Sequence, residues 1–292
     1  RRPPRSTLFP YTTLFRSKCS KFSLNVHLIN AGITLTEVLL MVEVVENMKL
    51  TIIGPWGGYP KANEASSGYL LQQNGFNLLI DCGSGVLSFL QNHIEPENLD
   101  AVLISHYHAD HVADIGVLQH ALLIRKYFNK EIKTLPIYGH HESEDYRSLT
   151  YKNITKGSVI DENTELSIGP FSVSFLKTRH PVPCYAMKIA SDEGTLVYTA
   201  DSAYQEAFVD FAKDCDLLLC ESNLFSGMNG DQAGHMTSTE AGRLAARSGA
   251  KKLVLTHLPQ YGSLHQLKEE AESEFNGPVI LAEKDLQIVV KK

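Results

Sequence analysis

The chain has 292 residues, 43% of them hydrophobic and 21% charged, enough to bury a sizeable core in one large domain or two small ones. Its formal net charge is −6; residues 1–47 hold six Arg or Lys against three Glu, a local +3, so the remainder carries −9. An acidic domain of this kind argues against a general nucleic-acid binder, which needs a basic stripe.

In chain order, residues 1–47 read as foreign to the rest. Arg1–Ser17, RRPPRSTLFPYTTLFRS, is basic and free of acids. That composition suits a transit peptide; it also resembles translated sequencing-adapter DNA joined to a gene end, which is the preferred reading. Ile33–Val45 is apolar but interrupted by Glu37 and Glu43, too short and too charged to span a membrane. The expectation is a non-native or disordered N-terminal extension over residues 1–47 and one folded domain over residues 48–292, with Met48 as the natural start.

Lys49–Gly54 predicts a strand. Tyr69–Gln73 and Asn77–Asp81 predict two more, joined by Asn74-Gly75, a strong hairpin signal. Asp81-Cys-Gly-Ser-Gly85 predicts a tight turn into a helix through Gln91. Leu99–Ser105 is an apolar run ending at a histidine cluster, and Val112–Phe128 carries Ile115, Leu118 and Leu122 at helical spacing. Phe171, Val173 and Phe175 alternate with Ser172 and Ser174, a half-buried strand. Further strands are predicted at Thr195–Thr199, Asp216–Cys220, Lys252–Thr256 and Pro278–Ala282, with helices near Tyr204–Lys213, Thr239–Ser248 and Leu264–Phe275. Thr237 and Glu240 form a capping box, and Gly249 lies just past that helix.

The five cysteines, Cys19, Cys82, Cys184, Cys215 and Cys220, are odd in number and form no CxxC pair. They read as reduced, buried thiols of a cytoplasmic protein. The twelve histidines are more informative because many cluster.

Ser105-His-Tyr-His-Ala-Asp-His111 puts four ligand-type side chains within six residues, directly after a buried strand. Packing such groups together without a compensating ion is costly. The alternative is a solvated polar loop, but the pattern recurs. Phe171–Lys177 leads to His180, Thr195–Thr199 to Asp201, and Lys252–Thr256 to His257. Rigid strands position the loops that follow them, so functional groups gather at strand ends. Each of these residues alone is a weak signal. Together they make five imidazoles and two carboxylates, an inventory for two borderline metal ions about 3.5–4 Å apart.

The motif His106-Tyr-His108-Ala-Asp110-His111, followed in order by His180, Asp201 and His257, resembles that of the metallo-β-lactamase superfamily. The resemblance covers nearly all of residues 48–292, and Asp81 in LIDCGSG matches that family's early aspartate turn. It implies an αββα four-layer sandwich, an α/β fold. It also implies two zinc ions, with Mn or Fe as alternatives. His106, His108 and His180 would hold one ion, Asp110, His111 and His257 the other, and Asp201 would bridge them. The nucleophile would be a water between the metals, deprotonated near neutral pH, with Asp81 supporting the ligands.

True β-lactamases of the commonest two-metal class have Cys where Asp201 stands, which argues against antibiotic hydrolysis. Asp216-Leu-Leu-Leu-Cys-Glu221 and Gly234-His235-Met-Thr-Ser-Thr239 resemble, in order, the His-Glu-Ala-Thr and Gly-His-Ser-Thr segments of ribonuclease Z. There the Glu and His form an acid/base pair beside the metals. The match is partial, because Cys220, Ser222 and Met236 depart from the pattern. Glu221 could instead be a surface carboxylate, and His235 a neighbour of a helix start. With Asp110, this pair completes the candidate catalytic residues: Asp110, His235 and Glu221.

His180 and Asp201 lie twenty-one residues apart, room for a hairpin but not for the long tRNA-binding arm of ribonuclease Z. Asp201 and His257 are too close for an inserted nuclease domain. The leading expectation is a compact, arm-less phosphodiesterase. Its substrate would be a small-molecule or nucleotide phosphodiester, such as a cyclic nucleotide or a short nucleic-acid end. Extended nucleic acid and membrane are disfavoured, and a homodimer is allowed. Ester, lactone or thioester hydrolysis on the same metals is the alternative. An iron-dependent oxidoreductase would lack its flavin domain, and a non-catalytic metal module would leave the filled ligand set without a use.

Overall fold

The structure, a computed structural model, describes residues 47–128 and 131–292. The predicted N-terminal extension therefore falls, apart from Asn47, outside the described residues. Strands β1 (Met48–Gly54), β2 (Gly68–Gln73), β3 (Phe76–Ile80), β4 (Ala101–Leu103), β5 (Leu135–His140) and β6 (Thr155–Ile160) join β14 (Gln287–Val290) in a seven-stranded sheet ordered β14-β1-β2-β3-β4-β5-β6. A second seven-stranded sheet contains β7 (Leu166–Ile168), β8 (Phe171–Lys177), β9 (Tyr185–Ala190), β10 (Thr195–Tyr198), β11 (Leu217–Glu221), β12 (Leu253–Thr256) and β13 (Val279–Leu281). Its order is β13-β12-β11-β10-β9-β8-β7.

The layers follow from the two-residue period of strands. On β2, Tyr69 and Leu71 point inward and meet Tyr198, Leu217 and Leu219 of the second sheet, while Leu70 points outward. Leu70, Leu79 and Val102 pack under helices α1 (Val86–Leu90) and α3 (Ile115–Phe128), the latter preceded by the short α2 (Ala109–Val112). On the other side Val197, Leu218 and Leu255 pack under α4 (Ala207–Phe211), α5 (Ser238–Ser248) and α6 (Leu264–Glu272). This is the expected αββα sandwich. Full burial of each such Leu or Ile stabilises the fold by roughly 1.5–3 kcal/mol.

Local chemistry agrees with the sequence at several turns. Asn74 and Gly75 both have positive φ, 50° and 75°, as the two-residue β2–β3 hairpin requires. Thr237 and Glu240 exchange the reciprocal bonds of a capping box, and Gly249 ends α5 at φ 71°. β9 and β10 form an antiparallel hairpin between His180 and Asp201.

The turn Asp81–Gly85 leads into α1 as expected, with the left-handed Gly85 as its N-cap and Gln91 as its C-cap. Two predicted helices are corrected. Val112–Phe128 is not one helix. It breaks at Asp114, whose backbone N–H donates to Cys82 O and whose side chain accepts from Leu87 N at 2.9 Å, capping α1 instead of continuing its own helix. The helix near Tyr204–Lys213 shrinks to α4. Strands β5, β6, β7, β9 and β14 were not legible, because sequences such as LPIYGH and TKGSVI lack clean alternation.

Among the described residues no helix is long and apolar enough to cross a membrane. Cys82, Cys184, Cys215 and Cys220 are free and buried, as expected; Cys19 lies outside the described residues.

Candidate metal centre

β3 and β4 run parallel in one sheet, as do β10, β11 and β12 in the other. β8 and β10 are both antiparallel to β9, so they too share a direction. The ends of these strands and the loops after them deliver Asp81, the His106–His111 segment, His180, Asp201, Glu221 and His257 to one region. All seven predicted ligands meet there, in two groups that share Asp201.

In the first group His108 Nδ1 lies 3.0 Å from His106 Nε2 and 3.1 Å from His180 Nε2. Asp201 Oδ2 is 3.6 Å from His106 Nε2 and 4.0 Å from His180 Nε2. In the second, His257 Nε2 is 3.1 Å from Asp110 Oδ2 and 3.2 Å from Asp201 Oδ2. His111 Nε2 is 3.5 Å from Asp110 Oδ2 and 3.4 Å from Asp201 Oδ1. Donors arranged tetrahedrally around an ion with bonds of about 2.0–2.1 Å stand about 3.3 Å apart, so both spacings fit a divalent metal.

Two further observations support that fit. His111 Nε2 and Asp201 Oδ1 are fully buried and have no hydrogen-bond partner, a costly state for polar atoms that a cation would relieve. Protonation also follows the pattern of a cation site. Burial pushes His106 and His180 down, keeping them neutral, as metal binding requires. Burial opposes charge on His111 too, but Asp201 and Asp81 hold its pKa well above the ordinary value, so a proton there neutralises the carboxylates. Burial would raise Asp201, yet His257 and His111 keep it well below the usual carboxylate range.

The candidate ligands are held from behind. Asp81, completely buried, accepts from His111 Nδ1 at 2.8 Å, from Ser105 N and Oγ at 2.8 Å each, and from Tyr198 OH at 3.0 Å. His180 Nδ1 donates to Gly234 O at 3.0 Å, and Gly58 N donates to Asp110 Oδ2 at 2.6 Å. Such partners fix ring orientation and tautomer. Asp81, Ala200 and His257 all have left-handed backbones, φ 55°, 50° and 51°. Strain of this kind costs about 1–3 kcal/mol per residue and concentrates at functional sites.

Of these supports only Asp81 was singled out from the sequence. Tyr198, Ser105, Gly58 and Gly234 were missed. The adjacent pair Gly57-Gly58 after β1 was an available signal. A Cβ on Gly57 would come within 2.4 Å of the His257 ring, so only glycine permits that approach.

Glu221 and His235 are brought together as predicted. Glu221 is fully buried, not a surface carboxylate. Its Oε1 accepts from His235 Nδ1 at 2.9 Å and from Ser202 N at 3.1 Å, and its Oε2 from Asn223 N at 3.1 Å. The His235 ring stacks on His257 at 5.2 Å and meets His180 edge-on at 5.3 Å. It thus touches one histidine of each group. Burial opposes its charge, but the Glu221 carboxylate prevails and raises its pKa to about 9.

Residues 76–258 match the family described as the beta-lactamase superfamily domain. The metallo-beta-lactamase fold protein YhfI of Bacillus subtilis (strain 168) is 52% identical over 236 residues, spanning 80% of this chain and 97% of that protein. Its crystal structure superposes with a TM-score of 0.82, covering 83% of this chain and 99% of that one. Ribonuclease Z of Metallosphaera sedula is 24% identical over 291 residues, 83% of this chain and 98% of the relative. The crystal structure of the short form of human tRNase Z, at 22% identity, aligns with a TM-score of 0.67 over 84% of this chain and all of that one, a likeness of fold.

Proposed function

The chain belongs to the beta-lactamase superfamily and is a metallo-hydrolase, and on that premise we propose that it cleaves phosphodiesters at a dinuclear centre. His106, His108 and His180 would hold one ion, and Asp110, His111 and His257 the other, with Asp201 between them. A donor set of imidazole nitrogens and carboxylate oxygens without thiolate suits zinc and also accommodates Mn or Fe. When bound, such a pair lowers the pKa of water towards neutrality and neutralises phosphoryl charge.

The observation that carries the reading is the His235–Glu221 pair. An alkoxide leaving from phosphorus needs a proton. With Nδ1 engaged by Glu221 at 2.9 Å, His235 carries the transferable proton on Nε2, and its ring lies against His180 and His257. A histidine oriented by a buried carboxylate is suited to general acid catalysis. Asp110 accepts the Gly58 N–H and so keeps its carboxylate aimed at the reacting region. The substrate is a small-molecule or nucleotide phosphodiester. With only a hairpin between His180 and Asp201, the chain has no arm there for an extended nucleic acid.

The deciding experiment is a turnover panel with the zinc-loaded protein: bis-p-nitrophenyl phosphate, a lactone, a thioester and nitrocefin. Turnover of the phosphodiester well above the others is expected. Turnover of the lactone or thioester with none of the phosphodiester would replace this reading with carboxylic-ester or thioester hydrolysis.

A further inference from the structure

A cavity of about 240 Å³ opens beside His108. We propose that it receives one planar heteroaromatic ring of the substrate, a nucleobase carrying an amino group. This rests on the phosphodiester reading above. His108, one of the converging ligands, forms part of the cavity wall. A group seated there would therefore be tethered to whatever reacts at the metal centre.

The walls favour a ring. Tyr107 and His140 pack edge to face with centroids 4.6 Å apart, and Val182 and Pro183 add apolar surface to the lining. The Tyr107 ring is fixed in advance. Tyr107 OH donates to His140 O at 2.6 Å, and a Cβ on the intervening Gly139 would stand 2.6 Å from that hydroxyl. Flat aromatic groups bind well against such surfaces. The volume lies below the roughly 300–1,000 Å³ of pockets that enclose a whole drug-sized ligand, so it suits a single ring system.

The rim selects the ring's edge. Glu142 is held by Tyr185 OH at 2.6 Å and Lys177 Nζ at 2.5 Å. Asp145 accepts from Ser143 Oγ at 2.7 Å. Ionised carboxylates only accept hydrogen bonds. No Lys or Arg lines the cavity, and burial keeps His140 from carrying charge. The lining thus offers a phosphate no free cation, the Lys177 ammonium being engaged by Glu142, while an exocyclic amino group finds acceptors.

The test uses the zinc-loaded full chain. Adenosine 3′,5′-cyclic monophosphate should exceed its inosine counterpart, where a keto group replaces the amino group, by about tenfold in kcat/KM. Val182→Trp, which fills the cavity, should lower the ratio of cyclic adenosine to bis-p-nitrophenyl phosphate turnover by about tenfold or more. Glu142→Gln, at an exposed position, should narrow the amino-over-keto preference. Ratios that neither variant moves would overturn the proposal. Binding separates this outcome from failure of the reaction reading. By calorimetry, adenosine 5′-monophosphate should bind about tenfold tighter than ribose 5-phosphate, with the gap closed by Val182→Trp. That result without any phosphodiester turnover would keep the cavity and remove the reaction. Equal binding of the two phosphates would remove the cavity whatever the turnover.

Discussion

The imidazole of His111 and the carboxylate of Asp81 meet at 2.8 Å, both without solvent access, and Asp81 takes its remaining bonds from Ser105 and from Tyr198 of the opposite sheet. One buried carboxylate thus orients a ligand-type histidine and ties the two sheets together at the site. Removing it leaves several buried donors unpaired.

Asp81→Asn should therefore reduce metal affinity by about 10- to 100-fold while the protein still folds. Tyr198→Phe removes one bond to a charged group and should cost about 1.5–3 kcal/mol of stability, with a smaller loss of affinity. Competition with a chelator and denaturant titration read the two effects. Unchanged affinity in Asp81→Asn would show that His111 is oriented by packing alone.

Two divalent ions per chain are expected by elemental analysis, because the two donor groups share Asp201. Asp201→Ala takes one member from both groups and should impair occupancy of both. A single tightly held ion, retained by Asp201→Ala, would contradict the dinuclear centre.

His235→Ala should keep the fold and the metals but lose about 100- to 10,000-fold on an alkyl-leaving substrate such as a cyclic nucleotide. Activity on bis-p-nitrophenyl phosphate should fall much less, since p-nitrophenolate departs without a proton. Glu221→Gln should show the same pattern more weakly. Equal losses on both substrates would make His235 a phosphate binder, and no loss on either would make it structural.

The same pair sets a pH dependence in the metal-free protein. Burial opposes the charged form of His235, yet the Glu221 charge and hydrogen bond raise its pKa from 6.5 to about 9. A raised folded-state pKa stabilises the fold fully below the unfolded value, and that contribution disappears as pH rises through the folded value. The melting temperature should drop between about pH 6.5 and 9, and His235→Ala should flatten this part of the curve. Parallel curves for the two proteins would refute the linkage.

The ligand inventory was legible because it is local. His106 to His111 stand within one six-residue stretch, and His180, Asp201 and His257 each follow an apolar strand. The alternation of Phe171, Val173 and Phe175, the Asn74-Gly75 hairpin and the Thr237–Glu240 cap were legible for the same reason, since each depends on neighbours in the chain. The burial of Glu221, the reach of Tyr198 to Asp81, the approach of Gly58 to Asp110 and the cavity between Tyr107 and Val182 depend on residues 52 to 117 positions apart or on loops from separate strands. No local window carries those distances. They were decided only when hydrophobic burial packed two sheets face to face, so that strand ends remote in sequence share one largely buried, polar site.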